Sequence, residues 1–101
     1  MPLSTNQKKH LKGLCHQLQP TVTVADKGLT PTVGDAIEEA LAHHELIKVK
    51  LRQDRDQRKE TYDQIIEATG AEAVMSVGGI VCIYRENQQR PVDKRLKLPK
   101  A

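Results

Sequence analysis

Apolar residues recur every three or four positions in three stretches of the chain, which is the pattern of a helix with one buried face. The first stretch follows Ser4, which can form a capping box with Gln7. The second follows Thr30, a good N-cap, and has Pro31 at the first helical position, so we expect a helix over residues 31–44. The third ends at Gly70, a typical helix stop. The series at helical spacing is Leu11, Leu14, Cys15 and Leu18 in the first helix and Val33, Ile37, Ala40, Leu41 and His44 in the second, and the third helix is expected to bury Tyr62, Ile65, Ile66 and Thr69.

Two other stretches alternate apolar and polar residues, which is the period of a strand with one buried face. Val22 and Val24 alternate with threonines, and in residues 45–52 three aliphatic residues alternate with Lys48, Lys50 and Arg52. This second strand should have one face in water, and so lie at an edge or in a partly uncovered position of the sheet. Its row of three cations is open to two interpretations, an anion-binding face or protection of a sheet edge.

Residues 73–77 and 80–84 predict a hairpin with Gly78 and Gly79 in its turn. The continuous apolar run of its second strand is typical of a strand that is covered on both faces. We therefore predict a central strand with helices on both sides of the sheet. The element order is α-β-α-β-α-β-β, and the fold class is α/β.

The turn between the first strand and the second helix is a candidate anion site. Gly28 can adopt the positive φ that a sharp turn needs, and Lys27 adds a full positive charge beside it. Thr30 opens the helix, whose N-terminal end favours an anion such as phosphate through free backbone N–H groups and the helix dipole. The alternative interpretation is an ordinary connection between a strand and a helix.

The net charge of +3 permits a polyanionic partner without requiring one, so the distribution of charge is more informative. Lys8, Lys9 and Lys12 share one flank of the first helix with no acidic residue, either as a basic surface or as an ordinary solvated face. Residues 85–101 hold six Lys or Arg against two acidic residues, which predicts an extended basic arm over residues 86–101. Such arms contact nucleic acid in many proteins, but others have no such role. Residues 52–63 hold four cations and four anions, which predicts only a solvated helix start.

Several function classes are disfavoured by the composition. The chain has no Phe or Trp and two Tyr, so it cannot build a surface that stacks several bases on aromatic rings. The adjacent His43 and His44 point in different directions, whereas a chelating pair needs i, i+4 spacing. No nucleophile, phosphate-loop or dinucleotide motif is found. We therefore expect no catalytic residues, no metal, no cofactor and no small-molecule substrate.

Length, cysteines and hydropathy bound the remaining possibilities. A chain of 101 residues is large enough for one core but not for two. Cys15 and Cys82 fall at apolar positions and are expected to be reduced core residues. No apolar run approaches the ~18 residues of a membrane span. We expect a cytoplasmic monomer without membrane contact, with a domain over residues 1–85 and a tail over residues 86–101.

Five short motifs accompany this order of elements and extend over about residues 3–99. They are Leu11-Lys12-Gly13-Leu14, Lys27-Gly28-Leu29-Thr30, His43-His44-Glu45-Leu46-Ile47-Lys48-Val49-Lys50, Gly78 with Ile80 to Tyr84-Arg85, and Leu98-Pro99. With these motifs the chain resembles the YhbY-like, CRM-domain RNA-binding proteins, where CRM stands for chloroplast RNA splicing and ribosome maturation. The stretch over residues 43–50 is the most specific of the five.

The resemblance implies a fold similar to the C-terminal domain of translation initiation factor three, with a four-stranded mixed sheet and three helices. It also implies RNA binding and, for stand-alone bacterial members, association with precursors of the large ribosomal subunit. The family's loop before the second helix is Gly-x-x-Gly, which has been compared with the phosphate-clamping loop of KH domains. Here the loop is Ala25-Asp26-Lys27-Gly28, so its role carries over to Lys27 and Gly28.

The leading hypothesis is a non-catalytic protein that binds ribosomal RNA in large-subunit precursors through backbone phosphates and RNA shape. The alternative is a protein-interaction adaptor, which would use the acidic second helix and the tail to hold a translation or assembly factor. The residues predicted to contact RNA are Lys8, Lys9, Lys12, Lys27, Gly28, Thr30, Lys48, Lys50, Arg52, Arg85, Arg95 and Lys97.

Overall fold

The computed structural model describes residues 3–91 together with Asp93, Arg95, Leu96 and Leu98. Its elements follow the predicted order of three helices and four strands. They are α1 (Thr5–Cys15), β1 (Val22–Val24), α2 (Pro31–His44), β2 (Leu46–Leu51), α3 (Arg55–Thr69), β3 (Glu72–Val77) and β4 (Ile80–Tyr84).

The helix ends lie where the capping residues predicted them. Ser4 and Gln7 form a reciprocal capping box at the start of α1, with N···O distances of 3.0 and 3.1 Å. At the start of α2 the backbone N–H of Val33 donates to Thr30 Oγ1 over 3.2 Å. At the end of α3 Gly70 adopts a left-handed conformation with φ of 68°. Local sequence signals therefore fix all three of these boundaries.

The four strands form one mixed sheet in the order β1-β2-β4-β3. β1 runs parallel to β2, whereas β2 and β3 both run antiparallel to β4. A bulge between Ala73 and Met75 interrupts the pairing of β3 with β4. β2 is thus an interior strand, so of the two positions predicted for it the sheet edge is wrong and the partly uncovered position is correct.

Both faces of the sheet carry buried side chains, as the apolar run of β4 predicted. On one face α2 and α3 pack over Val49, Val81 and Ile83, together with Ile37 and Leu41 of α2 and Ile65 of α3. α3 buries Thr61 rather than Tyr62, which is only half-buried along with Ile66 and Thr69. On the other face α1 packs over Cys82 and Tyr84 of β4. The core is therefore divided into two layers by the sheet, and β4 has a central position.

α1 covers only part of its sheet face. Its buried side chains Leu11 and Cys15 lie over the end of the sheet that holds Leu46 and Tyr84. At the other end of the same face Lys50 is exposed and the side chain of Val77 is 66% exposed. Because α1 leaves this part of the sheet face uncovered, the lysines of β2 can reach solvent. This explains why an interior strand alternates apolar and polar residues.

Cys15 of α1 and Cys82 of β4 are both fully buried, and their side chains meet across the helix–sheet contact. Their Cα atoms lie 6.6 Å apart, within the range that a disulfide spans. The prediction that both residues belong to the core is confirmed. The two positions are distant in sequence but converge where α1 crosses β4, so the side chains are placed to pair, and their reduced state stays a prediction.

The described part of the segment that follows β4 packs against the domain. Glu45 is fully buried, and its carboxylate accepts hydrogen bonds from the backbone N–H groups of Asn87 over 2.9 Å and Leu96 over 2.7 Å. Leu96 and Leu98 also pack beside the α1 layer. In these residues the prediction of an extended arm is wrong, because a buried carboxylate that cannot be recognised from charge counts holds the segment in place.

Candidate nucleic-acid interface

The Lys27–Gly28 turn lies at the end of the sheet where β1 and β2 finish. Gly28 has a φ of 73°, so the predicted positive-φ glycine is confirmed. Gln53 Nε2 donates to the carbonyl oxygen of Ala25 over 3.0 Å, which ties the turn to the β2–α3 connection. The turn is therefore a fixed feature of the domain, with Lys27 exposed at its tip.

Several of the backbone N–H groups around this turn already have acceptors within the protein. Gly28 N–H donates to the Ala25 carbonyl over 2.9 Å, and Thr30 N–H donates to the Gly28 carbonyl over 3.0 Å. In the first turn of α2, Val33 N–H is held by Thr30 Oγ1, and Gly34 N–H donates to the Thr30 carbonyl over 2.8 Å. For the N–H groups of Lys27, Leu29 and Thr32 no acceptor is found among the described residues. Some of the predicted free amides therefore remain beside Lys27, although Pro31 has no N–H to add.

Acidic side chains border the same turn. A polar cavity of about 290 Å³ lies between the turn and α3, and its lining includes Asp26, Lys27 and Glu60. The two carboxylates repel a phosphate that approaches from the α3 side. An anion can therefore approach Lys27 from the outer side of the turn.

The cations of β2 lie at the same end of the molecule. Lys50 pairs with Thr23 of β1 and Ile80 of β4, and Lys48 pairs with Cys82, so both lysines project on the α1 face of the sheet. Lys50 is exposed and Lys48 is half-buried. The backbone N–H of Arg52 donates to the Val24 carbonyl over 2.7 Å, which places exposed Arg52 directly beside the start of the Lys27 turn. The structure thus brings Lys50 and Arg52 close to the turn.

α1 contributes a second group of cations on the Lys50 face. Lys8, Lys9 and Lys12 are all exposed. Leu14, on the opposite flank of the helix, lines a cavity of about 410 Å³ with Leu96, at the covered end of the sheet. The flank with Lys8 and Lys12 consequently points toward the uncovered half of the sheet, whereas Lys9 points away from it.

Two of the arginines predicted to contact RNA are used inside the protein. Arg85 forms an ion pair of 2.7 Å with Glu38 of α2, and it also donates to the Thr69 carbonyl over 2.9 Å. Arg95 pairs with Glu86 over 3.1 Å and donates to two backbone carbonyls. These contacts hold the segment after β4 and leave both guanidinium groups poorly placed for phosphate. Lys97, the third predicted contact after β4, lies outside the described residues.

Glu45 was not recognised from the sequence as a key residue. It has no exposed surface and a φ of 63°, and Arg90 donates to its carboxylate over 3.2 Å. Its position directly before the alternating β2 pattern carries no signal of burial. The only available hint was its place within the family-like stretch over residues 43–50.

Neither a metal-binding cluster nor a membrane-spanning helix is found in the described part of the chain. No three His, Cys, Asp or Glu side chains there are grouped so that they could hold a metal ion. No helix among those residues is both long and apolar enough to cross a membrane.

Comparison with known families agrees with this architecture. The model of the CRS1/YhbY (CRM) domain matches residues 3–85, which is most of the chain. The chain belongs to the CRS1/YhbY (CRM) domain family. The match includes α1, the Lys27–Gly28 turn and the strand with Lys48 and Lys50, so the candidate interface lies within the family domain.

Similar proteins from three bacteria are described in terms of RNA. An RNA-binding protein of Haemophilus influenzae is 43% identical over 91 residues, covering 89% of this chain and 92% of its own. A probable RNA-binding protein of Pseudomonas aeruginosa is 41% identical over 88 residues, covering 86% of this chain and 85% of its own. The solution structure of a hypothetical Staphylococcus aureus protein, which is proposed to bind RNA, superimposes with a TM-score of 0.78 at 32% identity, over 96% of this chain and 99% of that one. None of the three is described as an enzyme.

Proposed function

We propose that this CRM-domain protein binds RNA through backbone phosphates and RNA shape, without catalysis. The proposal depends on three exposed cations that come from separate elements and meet at one end of the sheet. They are Lys27, which follows β1, Lys50, which lies in β2, and Arg52, which follows β2. Among the described residues none of the three is in an ion pair. Their charges are therefore available to phosphate groups. The RNA-binding descriptions of its relatives support the same function.

The ligand is structured ribosomal RNA in precursors of the large subunit. Contacts from lysine and arginine to phosphates position a protein on RNA but carry little sequence information. Since no aromatic platform exists to read single-stranded bases, selectivity comes from the spacing of phosphates on a folded RNA. The protein acts in the cytoplasm as a monomer, as an assembly factor of the large subunit.

RNA crosslinking in cells, with the crosslinked nucleotides mapped, tests this proposal. The expected result is a small set of sites in precursor ribosomal RNA, and sedimentation of the protein with large-subunit precursors in a sucrose gradient. The Lys50→Gln variant should crosslink less, whereas Ala68→Glu, which changes the charge by the same amount on an exposed position of α3, should crosslink as the parent does. Crosslinks scattered over all cellular RNA would contradict the ribosomal assignment.

A pull-down after RNase treatment separates this proposal from the adaptor hypothesis. If RNA holds the protein on ribosomal precursors, RNase should release its partners. Protein partners that remain bound without RNA would support an adaptor instead, and would leave the basic surface without the proposed role.

A further inference from the structure

A second group of cations surrounds a cleft between α3 and the β3–β4 hairpin. The cleft has a volume of about 400 Å³. It is lined from α3 by Arg55, Arg58, Lys59 and Tyr62, and from the hairpin by Ser76 and Gly78. No acidic side chain contributes to its lining. This surface differs from the Lys27 turn, which borders the opposite flank of the same helix.

The helix separates charges that are mixed in the sequence. Counts over residues 52–63 gave a net charge of zero and predicted only a solvated helix start. In α3, however, Arg55, Arg58 and Lys59 occur at i, i+3 and i+4 and share one flank. Glu60 lies on the other side of the helix and lines the cavity beside the Lys27 turn, and exposed Asp56 does not line the cleft. The cleft is therefore strongly basic even though the segment as a whole is neutral.

Arg58 is the central residue of this cleft. It is half-buried, yet within the part of the chain that the structure describes it has no ion pair. Desolvation without a partner is unfavourable for a charged side chain, so an anion that enters the cleft would gain a ready donor. A Cβ atom on Gly79 would lie 3.5 Å from the Arg58 guanidinium and 2.8 Å from the Leu51 carbonyl oxygen. The glycine thus allows the hairpin to approach the β2 backbone at Leu51 closely, which places the hairpin turn in contact with Arg58.

Tyr62 adds a neutral hydrogen-bond donor at the base of the cleft. Burial raises the pKa of its hydroxyl above the ordinary value of 10.0, and the charge of Asp63 raises it further. The hydroxyl is therefore protonated at neutral pH. Two guanidinium groups, one ammonium group and a phenol beside an open hairpin turn form the set of donors that a phosphate group requires.

We propose that this cleft binds a phosphate group of the RNA backbone, as a contact separate from the β2 and Lys27 cations. The proposal rests on the RNA-binding function proposed above and extends it to a second face of the protein. With cations in this cleft, in the Lys27 turn and on the α1 face of the sheet, the protein would contact RNA segments on more than one side. That arrangement suits a folded RNA, whose strands can surround a small domain, better than an extended single strand.

Substitution of Arg58 by Gln, measured against a charge-matched control, tests the cleft. Affinity for a labelled RNA hairpin should fall roughly three- to tenfold in Arg58→Gln, and the slope of log affinity against log salt should become shallower by about 0.7–0.9, the value of one phosphate contact. Ala68→Glu makes the same change in net charge on an exposed position ten residues further along α3, about 15 Å away. It should change affinity less than twofold and leave the slope unaltered.

Equal effects of the two substitutions would overturn the proposal, because they would show a general effect of charge. If Arg58→Gln unfolds at a lower temperature than the parent, exposed Lys59→Gln gives the same comparison without loss of a half-buried residue.

Titration of the full chain with inorganic phosphate, followed by NMR, tests the cleft without RNA. The Arg58 Nε–H and the Gly78 backbone amide should shift in a saturable manner, and Arg58→Gln should remove the response at Gly78. A linear response without saturation would overturn the cleft as a phosphate site. If the protein shows the saturable response to phosphate but binds no RNA hairpin, the proposed function and RNA as the ligand of the cleft would be overturned. The cleft would still be a phosphate site. The two failures are therefore distinguishable.

Discussion

Glu45 has no exposed surface, yet three donors from the segment after β4 converge on its carboxylate. They are the backbone N–H groups of Asn87 and Leu96 and the guanidinium of Arg90, which is itself 30% exposed. Removing one partner of a buried charged pair leaves the other unsatisfied, at a cost of several kcal/mol. Glu45→Ala should therefore lower the free energy of unfolding by about 3 kcal/mol in urea denaturation.

Glu39→Ala provides the control for this measurement. Glu39 is an exposed carboxylate on α2 that is in no ion pair among the described residues, so its removal should change stability by less than about 0.5 kcal/mol. Limited proteolysis gives a second readout, because Glu45→Ala should expose the chain after β4 to cleavage. Resistance equal to that of the parent would show that Glu45 does not hold this segment.

The surroundings of Tyr84 make its contribution to protein stability depend on pH. The pKa of its hydroxyl is raised from the ordinary value of 10.0 to about 12. Burial is the largest cause, the charges of Glu45 and Glu86 also raise the pKa, and the charge of Arg95 lowers it. The folded state thus retains the proton where the unfolded state loses it. Stability from this group is complete below pH 10 and should fall as the pH rises from 10 to about 12. Thermal unfolding of the parent and of Tyr84→Phe, compared over that range, should show the advantage of the parent diminishing, and parallel curves would exclude the effect.

Two glycines in different elements should respond in opposite directions to alanine. Gly28 has a φ of 73° in the β1–α2 turn, where a Cβ atom is strained, so Gly28→Ala should destabilise the protein by about 1–2 kcal/mol. Gly13 lies inside α1, and a Cβ atom there would contact nothing within 4 Å, so Gly13→Ala should stabilise it by up to about 1 kcal/mol. Urea unfolding of both variants checks the pair. If Gly13→Ala destabilised the protein, this result would show that α1 requires glycine at this position for a reason other than helix propensity.

The elements themselves were largely predictable from sequence because their signals are local. Caps at Ser4 and Thr30, the stop at Gly70 and the apolar run of β4 each depend on a few neighbouring residues. The position of β2 was not predictable in the same way. The alternation of apolar and polar residues in β2 indicates that one face of the strand is exposed. A sheet edge and incomplete cover by α1 both produce this pattern, and the packing of distant elements decides between them. The contacts of Arg85 depend on similarly distant partners, so sequence could not separate it from the free cations.

For the whole molecule, the sign of each charge matters less than whether that charge already has a partner. Arg85, Arg90 and Arg95 each form an ion pair within the protein. The cations of α1, of β2, of the Lys27 turn and of α3 have none among the described residues. A net charge of +3 therefore understates the positive charge that is available to an anion. Long-range packing determines this division, which explains why counts along the sequence could not predict the contacts of the segment after β4.

The salt dependence of RNA binding should distinguish the cations that have a partner within the protein from those that have none. If about four phosphates are neutralised, log affinity should fall with log salt at a slope near −3, since each phosphate contributes about −0.7 to −0.9. Lys50→Gln should make the slope shallower by about that contribution, because exposed Lys50 has no internal partner among the described residues. Arg85→Gln, which removes the same charge, should leave the slope unchanged and lower stability instead, since its guanidinium holds Glu38 and the Thr69 carbonyl. Fluorescence anisotropy of a labelled RNA hairpin over a series of salt concentrations measures each slope. If the two variants shifted the slope equally, internal pairing would not decide which cations meet the RNA, and a slope near zero in the parent would remove the electrostatic basis of binding.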